Sequence, residues 1–294
     1  MDRQERFKQY LRDIKAFHHA ILKITEKESR MTRTYYADRY LSGCGIEVGA
    51  ESNPLIVGNK KVTIEYVDRL RPEETSRIYA IPSDYIVTPH YLAEADALGF
   101  FPDKNFGFVI ANHLLEHMLN PIGAMIEWLR VLKDGGILFL TVPNYRCNEY
   151  DFCRKPVDIN HVINDYRKHP LDIKDEHWRE FITKVEGIDP EDPAFKKRLD
   201  EFRKIDFRIH MHVFNKKLVF DMLGFLIALG EKVKVLEVFS FKYSYEILLI
   251  IKKSDKSGTE LSLSNRVRNL RLLIKIACVH LVKKTMSVVP SRRL

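Results

Sequence analysis

Cysteine is scarce in this chain: four residues in 294, at positions 44, 147, 153 and 278, with no CxxC pair. That spacing builds neither a zinc knuckle nor a disulfide framework, and a reduced compartment is the expectation. Long apolar runs are missing too. The two best candidates, LVFDMLGFLIALG and LLIKIACVHLV, are broken by Asp221 and Lys275 and fall short of the roughly 20 residues of a membrane span. The N-terminus, MDRQERFKQYLRD, is charged where a secretory leader would be apolar. Most of the chain also lacks a surplus of either charge. Residues 1–260 hold 40 bases and 40 acids, so the whole net charge of +8 belongs to residues 261–294, with eight bases and no acid. A neutral body gives no electrostatic reason to bind a polyanion, and nucleic acid is not expected as a partner. Neither an internal repeat nor a low-complexity tract is visible. A soluble cytoplasmic protein is the expectation.

What is present is the composition of a folded protein, 45% hydrophobic and 30% charged. Phe7, Leu11, Ile14, Phe17, Ile21 and Ile24 recur at helical spacing, and TRTYYADRYLSG reads as a second, shorter helix ending at Gly43. Residues 1–42 are therefore expected to form a helical cap. Four β-type runs follow: GIEVGA, KVTIEYVD, DKNFGFVIAN and GGILFLTVP. Between the last two, Ile122, Met125, Ile126, Leu129 and Leu132 mark a helix face, with Gly135 as its stop. NKKLVFDMLGFLIALG is a further helix, and EKVKVLEVFSFKYSYEILLIIKK reads as a hairpin of two strands. The fold class is α/β: a Rossmann-like, doubly wound, mostly parallel sheet with a terminal antiparallel strand over residues 43–255. Residues 145–215 read as an insertion over the C-terminal strand ends, within which KVEGIDPEDPAFKKRLDEFRK is expected to be a solvated helical excursion. Residues 256–294 read as a linker and a basic amphipathic helix.

The segment Gly45–Pro54 is a strand running into a glycine turn, and Gly49 there allows a close backbone approach to a ligand. Asp68 ends the next strand, where an acid accepts hydrogen bonds from ribose hydroxyls, and Asp96 lies in a loop before the following strand. A dinucleotide fingerprint would need glycines at 49, 51 and 54, where the chain has Gly49, Glu51 and Pro54. A glutamate facing a pyrophosphate is repulsive, so NAD and FAD are disfavoured. A nucleoside that lacks phosphate and carries a sulfonium cation suits this acidic turn.

Five pieces stand together in the middle of the chain: Glu47–Pro54 as EhGxxxNP, Tyr66–Arg69 as YVDR, Asn112–His117 as NHxLEH, Trp128–Gly136 as WLRVLKxGG, and Val142–Pro143. In these the chain resembles class I S-adenosylmethionine-dependent methyltransferases, well over residues 35–165 and loosely elsewhere. The resemblance implies S-adenosyl-L-methionine as cofactor. It implies that Glu47 and Gly49, with Ala50 beside them, shape the methionine side, that Asp68 holds the ribose, and that Asp96 and Ala97 meet the adenine. It places Asn112 and His113 toward the transferable methyl. Three departures from the pattern are Glu51 for a glycine, Gly107 where an Asp commonly stands, and Asp134 for the proline of the KPGG turn.

His113 and His117 are the catalytic candidates, since a histidine at a strand end can take a proton as the methyl arrives. HLLEH also matches HxxEH, which would put two imidazoles on one helix face with Glu116 as base, and a zinc hydrolase is one alternative reading. In the insertion, Arg154, His161, Tyr166, His210 and His212 are the substrate-binding candidates, their side chains suited to hydroxyl, carboxylate or sugar groups. HMH on an extended strand would place both imidazoles on one face, yet no metal ligand is assigned. The function expected is methyl transfer to an oxygen or nitrogen of a small-molecule or glycan-type acceptor. A non-catalytic cofactor-binding or scaffold protein is the other alternative, with Glu51 as its support. In the tail, Val267, Leu270, Leu273, Ile274, Ala277, Cys278 and Leu281 form a helical stripe among the bases. That stripe suits either the anionic inner face of a membrane or packing on the body or a second subunit. The oligomeric state is not legible.

Overall fold

The structure is a computed structural model that describes residues 27–254, apart from 60, 171, 172, 174 and 241–243. The apolar stripe at 7–24 and the basic tail at 256–294 lie outside the described residues. Seven strands form one sheet: β1 Gly43–Val48, β2 Val62–Asp68, β3 Tyr91–Leu92, β4 Phe106–Asn112, β5 Leu132–Pro143, β6 Val233–Phe239 and β7 Glu246–Lys253. Their spatial order is β3-β2-β1-β4-β5-β7-β6. The first five strands run parallel, and β7 pairs antiparallel with both β5 and β6. This is the Rossmann-like α/β sheet of class I methyltransferase type. After β3 the chain returns to place β4 on the other side of β1, with Val48 beside Ala111. The reversal opens a crevice at the C-terminal strand ends, where ligands bind in such sheets.

Residues in β4, β5 and β7 are apolar on both faces because both faces are covered. On one side Val109, Ala111, Leu138, Leu140, Leu249 and Ile251 pack under α3 (Pro121–Val131) and α7 (Lys216–Ala228). Their immediate neighbours Phe108, Ile110, Phe139, Leu248 and Ile250 point the other way, onto Tyr36, Ala37 and Leu41. Tyr36 and Ala37 belong to α1, residues 27–40, and Leu41 follows it. Alternation of side chains across the pleat produces these two layers. Gly45 allows the inner strands to close, since a Cβ there would stand 2.3 Å from the Phe108 ring. Among the described residues, no helix is long and apolar enough to cross a membrane.

Several local expectations need correction. Helix α3 ends at Val131, four residues before Gly135, because Leu132 is already extended and enters β5. The amides of Lys104 and Asn105 bond the Arg130 and Val131 carbonyls at 3.0 and 2.8 Å, which closes the helix without a glycine. The HLLEH segment is a single 3-10 turn over Leu115–His117 and not a helix face. Asn120 caps α3 by accepting from the Gly123 amide, and Pro121 starts it, so no helix runs through the two histidines. Asp134, for its part, pairs with Lys104 at 2.6 Å on the surface.

The insertion builds a small core of its own. It contains α4 (Ile159–Lys168), α5 (Asp175–Phe181) and α6 (Pro193–Ile205), following α2 (Pro72–Tyr79) earlier in the chain. Helix α6 is not mainly solvated: Phe195, Leu199 and Phe202 recur at helical spacing and are buried against Trp178, Phe181, Ile182 and Met211. The charges that suggested a solvated helix occupy its outer face.

Candidate active site

A cleft enclosing about 690 Å³, mouth included, lies over the ends of β1, β2 and β4. Gly49, Glu51, Asp68, Arg69, Tyr79, Ala93, Glu94, Ala95, His113, Leu114, His117, Met118 and Arg208 line it. Of the residues expected at the site, it brings together Gly49, Asp68, His113 and His117. Gly49 has φ 67°, a backbone that favours glycine, and a Cβ there would displace the Leu114 methyl at 2.7 Å. Its amide bonds the Val67 carbonyl at 2.9 Å, which ties the turn to β2.

Two carboxylates face each other across this turn. Asp68 accepts from the Arg69 amide at 2.8 Å and from the Glu51 amide at 3.2 Å, and burial raises its pKa. Glu51 sits in the left-handed region at φ 43°, a strained place for a side chain. Burial, and after it the charge of Asp68, pushes the Glu51 carboxyl up to about 7. Arg69 and Arg208 complete the polar wall. Both reach Asp206, and Arg208 also reaches Glu94 at 3.3 Å.

Glu47, Ala50 and Asn112 do not line the cleft. The Glu47 carboxylate accepts from the Leu55 amide at 3.0 Å through both oxygens and from Asn112 Nδ2 at 3.3 Å. Thr141 in turn donates to Asn112 at 3.1 Å, so a buried chain of bonds locks β5, β4, β1 and the turn together. Burial drives the Glu47 carboxyl up to about 7 in spite of those donors. In the loop before β4, the cleft wall is Ala93, Glu94 and Ala95 and not Asp96 and Ala97, because Ala97 folds back to bond the Glu94 carbonyl at 3.0 Å.

His113 also has a left-handed backbone, φ 48°. Its Nε2 lies 2.8 Å from Glu246 and its Nδ1 3.7 Å from Glu116. Glu246, at the head of β7, is gripped by the Arg33 guanidinium of α1 at 2.6–3.0 Å. His117 places Nδ1 2.9 Å from the Ile209 carbonyl. Burial and its neighbour His210 lower its pKa to about 3, so its ring is neutral.

None of the five insertion candidates lines the cleft. Arg154 is buried and bonds the His210 carbonyl at 2.6 Å and Glu180 at 2.9 Å. Tyr166 packs edge-on against Phe225. His210 and His212 do not share a face. The amides of Met211 and His212 both bond the Glu116 carbonyl, at 2.8 and 3.2 Å, which bends the chain away from a strand. The imidazoles then diverge, His210 to Asp151 at 3.0 Å and His212 to Asp165 at 3.1 Å, where His161 also pairs at 3.2 Å. Arg33, Glu246, Arg69, Tyr79, Glu94 and Arg208 escaped sequence reading. Only the charge heading the apolar run EILLIIKK and the arginine of YVDR could have drawn attention to two of them.

A seven-stranded sheet with an antiparallel seventh strand, and a cleft over its switch point walled by Gly49 and a strand-end acid, define a class I methyltransferase fold. Residues 43–140 match the family described as methyltransferase domain. Residues 43–140 therefore carry the methyltransferase domain, of the S-adenosylmethionine-dependent class, and S-adenosylmethionine is the cofactor that this family implies. Similar solved structures include a SAM-dependent methyltransferase of Thermotoga maritima, 14% identical over 84% of this chain and 98% of that one, with a TM-score of 0.42. A SAM-dependent methyltransferase of Aquifex aeolicus is 11% identical over 79% of this chain and 98% of that one, with a TM-score of 0.40. The YcgJ protein of Bacillus subtilis is 12% identical over 79% of this chain and 100% of that one, with a TM-score of 0.42. The assignment rests on the family match and the strand order, not on these distant likenesses. No curated protein matches the chain.

Proposed function

We propose that the chain methylates an oxygen or nitrogen of a small-molecule or glycan-type acceptor. The observation that carries this reading is the pair of imidazoles, His113 and His117, on the cleft wall beyond β4, with Arg208 beside them. Such a wall suits an acceptor whose attacking atom bears a proton and whose neighbours are polar. The lining of the cleft suits the cofactor: Gly49 supplies the glycine turn after β1, and Asp68 and Glu51 bring carboxylates to the same wall. Asp68 would accept from the ribose hydroxyls, with Glu51 offering negative charge to the cationic half. When bound, the cofactor supplies an electrophilic methyl on sulfur. The protein's part is to align the acceptor in line with it and to exclude water. Glu47, Ala50 and Asn112 would set the turn from behind, with Asp96 and Ala97 shaping the adenine end. Arg154, His161, Tyr166, His210 and His212 would shape the acceptor wall from the layer behind it.

Incubation of the full chain with methyl-labelled cofactor and a panel of sugars, phenols and amines tests this reading. Label is expected in a hydroxyl or amine product in step with S-adenosylhomocysteine, and His113→Ala is expected to lower turnover by about 10²–10⁴-fold. Cofactor binding without label in any oxygen or nitrogen acceptor would count against it.

A cytoplasmic location at the inner face of an anionic membrane belongs to the same proposal. It is supported by the eight bases and absence of acids in residues 261–294. The full chain is expected to co-sediment with vesicles rich in anionic lipid and to be released by salt, while residues 1–260 stay in solution. Equal sedimentation of both would show that the tail has no membrane role.

A further inference from the structure

We propose that Glu116, His117 and His210 bind one divalent transition-metal cation of the zinc class beside the cofactor cleft. One ligand atom from each residue lies within 4.8 Å of the others, with His210 Nε2 3.9 Å from Glu116 Oε1. A tetrahedral ion with bonds of about 2.0–2.1 Å would draw these atoms closer by small side-chain rotations.

Three observations point to a ligand and not to a packed cluster. Glu116 is completely buried, and neither of its oxygens has a hydrogen-bond partner among the described residues. The nitrogens of His113 and His210 lie 3.7 and 3.9 Å from Oε1, beyond hydrogen-bond reach. Burying a carboxyl without a hydrogen bond is costly, and a cation against it removes that cost. Second, both histidines are oriented as ligands. His210 Nδ1 faces Asp151 at 3.0 Å, and His117 Nδ1 faces the Ile209 carbonyl at 2.9 Å. In the Nδ1–H tautomer that suits these acceptors, each ring would present Nε2 to a metal, the arrangement that orients metal-bound imidazoles. Third, the scaffold is fixed. The Glu116 carbonyl takes the amides of Met211 and His212, which ties the segment carrying His210 to the turn carrying Glu116 and His117. Arg154, bonded to both Asp151 and the His210 carbonyl, braces the far side.

The donor set chooses the ion. Two imidazoles and one carboxylate suit zinc or a similar transition metal and not calcium or magnesium, which take oxygen ligands. The site is not that of the HxxEH pattern, since His113 is turned to Glu246 and the third ligand, His210, comes from the insertion. The neighbouring trio His161, Asp165 and His212 differs in kind. There both Nε2 atoms lie 3.1–3.2 Å from the same Asp165 oxygen, and the carboxylate is already hydrogen-bonded to His212.

The role of the ion rests on the proposed methyl transfer. Three protein ligands leave a fourth position, and His117 also belongs to the cleft wall. An acceptor hydroxyl coordinated there would be more acidic. Its proton would pass to His113 and on to solvent, its oxygen would bond the methyl carbon, and the sulfur–carbon pair would return to sulfur.

The test uses the full chain, purified without a histidine tag, stripped with chelator and titrated with zinc(II) against a chromophoric competitor. One equivalent is expected to bind, with affinity lowered by about 100-fold or more in Glu116→Gln and in His210→Gln. Zinc-edge X-ray absorption of the unaltered chain, which requires no variant to fold, is expected to show two imidazoles and light-atom ligands. No stoichiometric binding, a sulfur shell, or zinc lost on His161→Gln but kept in His210→Gln would overturn the site. Calorimetry with S-adenosylmethionine separates the two proposals. Metal binding without cofactor binding upholds the site and refutes the ion's role in methyl transfer, and cofactor binding without metal binding refutes the site while leaving the proposed methyl transfer to its own labelling test.

Discussion

Replacing Arg33 by leucine is expected to lower the unfolding free energy by about 3–5 kcal/mol in urea titrations near neutral pH. The guanidinium joins α1 to β7 through two nitrogens on one carboxylate, with side-chain exposures of 6% and 3%. Among the described residues, Glu246 would then keep His113 as its partner, and its charge would stand nearly unpaired in the core. The double replacement Arg33→Leu with Glu246→Leu is expected to recover much of the loss, because it removes the orphaned charge as well. Acid titration supplies the sign. Burial by itself would raise the Glu246 carboxyl, but Arg33 and then His113 outweigh it and hold the group at about 2, below its ordinary 4.5. The contribution is therefore complete above about 4.5 and is lost as pH falls toward 2. In Arg33→Leu the buried carboxyl is expected to move the opposite way, so that this variant loses stability as pH rises above 4.5. Parallel pH profiles for the two proteins would show that the pair does not carry this linkage.

The sheet was legible because its strands are buried on both faces. Runs such as FVIAN and ILFLTVP cannot be amphipathic helices, and only a doubly covered sheet accommodates them. β3 was not legible, since Tyr91–Leu92 is too short to make a pattern and exists only because it pairs with Val67 and Asp68. At the site, the positions of Gly49 and Asp68 on the cleft could be read because one turn and one strand end fix them. Arg208 could not, because only the fold of the insertion returns it to a cleft whose other wall was laid down far earlier. The HxH pair misled for a similar reason. Two-residue alternation holds on a strand, and the Glu116 carbonyl, by binding two successive amides, prevents a strand from forming there. Glu51 looked like a defect in a glycine turn. In the structure it keeps the left-handed backbone such a turn needs and brings a second carboxylate to the cleft.

That second carboxylate leads to the sharpest expectation for the cofactor. Asp68→Ala is expected to weaken S-adenosylmethionine binding by roughly 1.5–3 kcal/mol, about 10- to 150-fold by calorimetry, through loss of charged hydrogen bonds. S-adenosylhomocysteine has the same ribose and should lose as much. Glu51 is expected to act differently, because its carboxyl titrates at about 7. Below that pH it is neutral and indifferent to the sulfonium; above it, the carboxylate attracts the cationic cofactor and not the uncharged thioether of the product. The preference for S-adenosylmethionine over S-adenosylhomocysteine should accordingly rise by about 3- to 10-fold between pH 6 and pH 8, a modest gain because the cleft is open to screening solvent. Glu51→Gln should flatten that rise while leaving the Asp68 dependence intact. An equal loss of both ligands on Glu51→Gln would assign this residue to the ribose beside Asp68, and an unchanged affinity in Asp68→Ala would mean that the end of β2 does not hold the nucleoside.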